Sequence, residues 1–101
     1  MSIMNVTKTG RGFTLIEFSD RYGVLCSLQK SSLATEDAIW LGCSKPDPKI
    51  LASETPEGGT GWVPYEIPEG VLCDTRMHLT IEQVAELIPI LQKFVETGEL
   101  E

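Results

Sequence analysis

The last quarter of the chain allows one secondary structure. Thr80 stands three residues before Gln83, so the threonine hydroxyl and the glutamine amide can each bond the other's backbone as a capping box. Leu79, ahead of the cap, can staple onto Val84. Ile81, Val84, Leu87, Ile88, Leu91, Phe94 and Val95 then recur at helical spacing as one apolar stripe. Gly98 supplies the stop. Pro89 lies inside; it removes a backbone donor and crowds the preceding turn, which predicts a bend. Ile90 falls off the stripe and, with the outer parts of Leu87 and Phe94, makes a second apolar face. A helix with two such faces needs cover on both.

Upstream the pattern becomes that of strands. Phe13–Phe18 alternates, with Ile16 and Phe18 on one side and Phe13, Leu15 and Glu17 on the other. Asp20-Arg21-Tyr22-Gly23 has the chemistry of a type I turn closed by a left-handed glycine. Val24–Gln29 runs back to complete a hairpin. Ser31–Asp37 suits either a capped helical turn or a loop delivering Ala38–Leu41 into a third strand that stops at Gly42; the four-residue apolar run favours loop then strand. Two prolines exclude regular structure from Ser44 to Lys49, and Ile50–Ala52 is short enough for one small element. Trp62–Pro68 is extended and suits an edge strand. The expected architecture is α+β: an antiparallel sheet of three to four strands with one C-terminal amphipathic helix packed on one face. Residues 1–101 form a single domain, with 1–11 as a flexible or edge arm and 54–61 as a flexible loop.

Charge excludes one class of partner. The net charge is −7. Residues 1–50 carry six Lys/Arg against five acids, and residues 51–101 carry two against ten. A nucleic-acid polymer needs a broad cationic surface, which this chain does not offer. A small anion held by a few local donors remains open. No apolar run approaches the ~18 residues of a membrane span. The N-terminal residues lack a basic-then-apolar signal pattern, so a cytoplasmic location is expected. Cys26, Cys43 and Cys73 are an odd set with no Cys-x-x-Cys pair. They read as small buried hydrophobes, the alternative being a zinc site completed by His78. No metal and no cofactor is expected.

No catalytic motif is present, and Gly58-Gly59-Thr60-Gly61 lacks the Lys-Ser/Thr pair and helix of a phosphate loop. Two polar groups remain. If Arg76–Leu79 is extended, Arg76 and His78 point the same way. The arginine fork suits a phosphate or carboxylate, the alternative being an ion pair with Asp74 or a helix glutamate. Gln29, Lys30, Ser31 and Ser32 can clamp a polar ligand, with Trp40, Trp62 or Tyr65 stacking on its ring. The alternative is a turn and cap beside core tryptophans. The candidate ligand-binding set is therefore Gln29, Lys30, Ser31, Ser32, Trp40, Trp62, Arg76 and His78.

The stretches Tyr22–Gly42 and Arg76–Val84 together resemble short uncharacterised proteins encoded by phages and prophages. The resemblance spans about half the chain and carries no named activity. It implies a small non-enzymatic binding role in a host cell: soaking up a nucleotide immune signal or blocking a host protein. The expectation is a non-enzymatic protein, homodimeric by virtue of its spare apolar faces, that sequesters a small polar anion. The alternative is an inhibitor of a host defence protein such as a CRISPR effector or nuclease.

Overall fold

The computed structural model describes residues 4–101. Its elements run β1 (Asn5–Lys8), β2 (Thr14–Ser19), β3 (Leu25–Lys30), β4 (Ala38–Cys43), β5 (Lys49–Leu51), β6 (Trp62–Pro64), β7 (Arg76–Thr80) and α1 (Ile81–Thr97). Strands β1, β2, β3, β4 and β7 form one antiparallel sheet in that order, and β5 and β6 pair apart from it. The class is α+β, with five strands in the main sheet instead of three or four. One addition is β1, an exposed edge strand drawn from the polar N-terminal stretch and paired to β2 with Thr7 opposite Leu15. Residues 1–3 of the expected arm lie outside the described residues.

Local chemistry explains the hairpin. The Asp20 carboxylate accepts from the Tyr22 and Val24 amides at 2.8 and 2.9 Å, and Gly23 takes the left-handed φ of 83°. Ser31–Asp37 forms no helix; the Ser31 amide donates to the Ala38 carbonyl at 3.0 Å, and the chain turns into β4. That strand runs past Gly42 to Cys43. Gly42 has φ +153°, and a Cβ there would strike the Thr75 carbonyl oxygen and lie 2.8 Å from Arg76 Cα. Close approach of β7 to β4 therefore requires glycine at this position. Between β5 and β6, the Ala52 amide donates to the Gly61 carbonyl at 2.8 Å and the Thr55 hydroxyl to the Ala52 carbonyl at 2.7 Å.

The helix begins and ends where its sequence signals lie. Thr80 and Gln83 complete the capping box at 3.2 and 2.9 Å, and Gly98 closes the helix at φ 78°. The helix continues through Pro89. Its packing differs from expectation: no residue of α1 is buried. Thr80 is both the last residue of β7 and the helix cap, so no loop turns the helix back across the sheet. The first turns overhang Ile39 and Leu79 across an open groove of about 360 Å³, and among the described residues β7 is the one element the helix meets extensively.

The pleat sorts the sheet into two faces, because directly opposed residues share a side. Leu15, Gln29, Trp40 and His78 form one cross-strand row. Ile16, Leu28, Leu41 and Met77 form a row on the other side. The first face carries the polar and aromatic groups. The second is apolar, and it is the face that the groove under α1 borders.

Candidate functional site

Three strands build a polar cluster on the first face. Trp40 sits mid-sheet on β4, between Gln29 of β3 and His78 of β7. The His78 ring stacks on Trp40 with centroids 3.9 Å apart and planes 6° from parallel. Arg76, two residues along β7, lies with its guanidinium carbon 5.4 Å from the Trp40 ring centroid and donates to the Gln29 side-chain oxygen at 2.8 Å. His78 Nε2 is 2.9 Å from Ser31 Oγ. Residues 47 apart in the chain are thus joined by two side-chain bonds. The two polar groups singled out in the sequence meet on one surface.

Five of the eight expected residues belong to this cluster: Gln29, Ser31, Trp40, Arg76 and His78. Lys30 does not. It alternates to the opposite face, where its ammonium meets Asp37 at 2.7 Å, and it borders the groove under α1. Its donation and charge hold the Asp37 carboxyl below the usual carboxylate range. Ser32 lies exposed beyond the end of β3. Trp62 is on β6 in the second sheet, 66% exposed, and Tyr65 follows it there, so neither tryptophan–tyrosine partner reaches the cluster. The Gln29–Ser32 stretch does not form the single clamp expected, because strand alternation divides it between the two faces.

The guanidinium is available for an anion. Among the described residues the ion pairs are Lys30–Asp37 and Lys49–Asp47, and no carboxylate pairs with Arg76, Asp74 included. Gln29 accepts from one of the five Arg76 N–H donors. Beside it a cleft of about 240 Å³ is lined by Trp40, Ser44, Pro46, Asp74, Thr75 and Arg76, with Cys73 at its wall. The Thr75 hydroxyl donates to the Cys43 carbonyl at 2.8 Å, which fixes the chain as it enters β7. Ser44 Oγ is buried with no hydrogen-bond partner among the described residues. Sequence reasoning missed Ser44 and the cleft itself. Ser44 sits in a proline-bounded loop, and only the fold brings it beside Arg76.

The Ser31–His78 distance is that of a nucleophile and its base. Ser31, however, is 4% exposed, and its oxygen already accepts from the Leu33 amide at 3.2 Å. This hydroxyl secures the turn after β3 and orients the imidazole. The cysteines also divide: Cys26 is buried, Cys43 half-buried opposite it, and Cys73 exposed. Burial pushes the Cys26 thiol up, and neighbouring Cys43 adds to the shift. Among the described residues no three His, Cys, Asp or Glu side chains cluster as metal ligands would. No helix there is long and apolar enough to cross a membrane.

Comparison with known proteins finds no matching family model, no matching curated protein and no matching solved structure.

Proposed function

We propose that the chain is a non-enzymatic binding protein that sequesters a small, polar, anionic ligand of nucleotide type, such as a nucleotide immune signal, at the Gln29–Trp40–Arg76–His78 face. One observation carries this reading. Arg76 is oriented by Gln29, lies over Trp40, lacks a carboxylate partner among the described residues, and borders a cleft. An arginine fixed in this way meets a phosphate with little loss of side-chain freedom. The Asp74 carboxylate across the cleft suits the hydroxyl and amine hydrogens of a nucleoside.

Cleft size narrows the ligand. About 240 Å³ is below the ~300–1,000 Å³ of sites that engulf a drug-sized molecule. The cleft therefore takes one end of a nucleotide, and the remainder lies along the polar face. His78 already stacks on Trp40, so a ligand ring does not displace that pair; it meets the Arg76 edge.

Isothermal titration calorimetry against cyclic mono- and dinucleotides, with inorganic phosphate as reference, tests the reading. At least one nucleotide is expected to bind stoichiometrically, without turnover, and far more tightly than phosphate. A panel that releases no heat from any member overturns the proposal.

A further inference from the structure

A single copy of this chain leaves too much of itself in water. Its buried apolar residues are Cys26, Ala38 and Ala52, and no side chain among the described residues is completely enclosed. The accessible surface is 8304 Å² for an 11.1 kDa chain. The scaling for compact monomers gives about 5,700 Å² at that mass. The radius of gyration is 17.5 Å, against about 13 Å for a compact domain of this length. The excess surface is on the order of 2,500 Å², which matches one partner's share of a large obligate homodimer interface.

The helix carries part of the excess. At about 100° per residue, the apolar positions of α1 cover an arc of roughly 220°, twice the stripe that one packed face requires. Ile81, Val84, Ala85 and Ile88 occupy the part that borders the groove. Leu87, Ile90, Leu91 and Phe94 occupy the part turned away from it, and they are 36, 43, 55 and 52% exposed. Glu82, Glu86, Lys93 and Glu96 lie together on the helix polar side, while Gln83 and Gln92 fall inside the apolar arc.

We infer that a second copy of this chain packs on α1 through the Leu87, Ile90, Leu91 and Phe94 face, forming a homodimer whose helices cover one another. The surface area argues for a copy of similar size, and a two-fold pairing of one self-complementary stripe closes without leaving a free interface. This surface shares no residue with the polar cluster, and the inference stands whether or not that cluster binds a nucleotide.

Sedimentation velocity on the full chain across a wide concentration range provides the test. A two-chain mass is expected, together with a thermal midpoint that rises with protein concentration. Leu91→Ala is expected to raise the dissociation constant about 30-fold or more, and Glu86→Gln to leave it unchanged. If the Leu91 variant fails to fold, a benzophenone amino acid replacing Phe94 in the otherwise native chain gives an independent readout. Its photoproduct is expected to join two copies through α1. A single-chain mass at every concentration overturns the inference. So does a dimer indifferent to Leu91→Ala, a crosslink confined to one chain, or a single chain held by a different protein or by lipid.

Discussion

The two faces of the sheet satisfy their side chains in opposite ways. On the polar face, Gln29, Ser31, Trp40, Arg76 and His78 bond and stack across three strands, and each is held by its neighbours. On the apolar face, Ile16, Leu28, Leu41 and Met77 line up across four strands, and α1, which meets the sheet at β7, buries none of its own residues. The polar face is preorganised within one chain, as a ligand site must be to bind without spending affinity on ordering. The apolar face is left partly open within one chain, at the groove beneath α1. Both faces derive from the same alternation, since each strand sends successive side chains to opposite sides.

The largest effect is expected at the seam that the faces share. Gly42→Ala places a methyl against Thr75 and Arg76 and demands a left-handed φ, so β7 must move away from β4. Overpacking and backbone strain together are expected to lower unfolding stability by about 2–4 kcal/mol, read by urea titration. Nucleotide binding is expected to fall with it, because Arg76 and His78 ride on β7. Arg76→Lys separates the faces. It keeps the charge but loses the planar fork, and a calorimetric loss of about 10- to 100-fold in nucleotide affinity is expected, with the dimer mass unchanged. Thr80→Ala is its counterpart on the other side. Removing the cap is expected to cost about 1 kcal/mol and to fray α1, weakening self-association without altering nucleotide affinity.

The smallest effect belongs to Lys30, and its sign is fixed. The Asp37 carboxyl is lowered by Lys30, so the pair stabilises the fold above the unfolded pKa of Asp37. That contribution is lost as pH falls through the folded value. Lys30→Met is expected to return the Asp37 titration, followed by NMR, toward the ordinary aspartate range. Both side chains are well exposed, so neutral-pH stability is expected to change little.

Features that depend on adjacent residues were legible in the sequence. Asp20 and Gly23 announce the hairpin turn, Thr80 and Gln83 the cap, and Gly98 the stop, and each acts over a few residues. The pairing of Arg76 with His78 on one side also follows from alternation. That the pair would meet Gln29 and Ser31 depended on β7 crossing back to β4, a contact over 47 residues that no local pattern encodes. Lys30 and Ser32 share the polarity of Gln29, but polarity does not report which face a side chain joins. Trp62 shares the ring chemistry of Trp40, yet β6 pairs with β5 in a sheet of its own. The exposed helix has the opposite lesson. Its amphipathic stripe asks for cover, but periodicity does not say how little of that cover the sheet supplies: no residue of α1 is buried.

Native mass spectrometry of the wild-type chain, Arg76→Glu and Leu91→Ala, each mixed with a nucleotide that binds in calorimetry, tests the division of labour in one experiment. The expected wild-type species has twice the 11.1 kDa of one chain and carries bound nucleotide. Arg76→Glu is expected to keep the doubled mass and lose the nucleotide, while Leu91→Ala shifts toward single chains that still carry it. Loss of both properties in either variant, or of neither in both, contradicts the account.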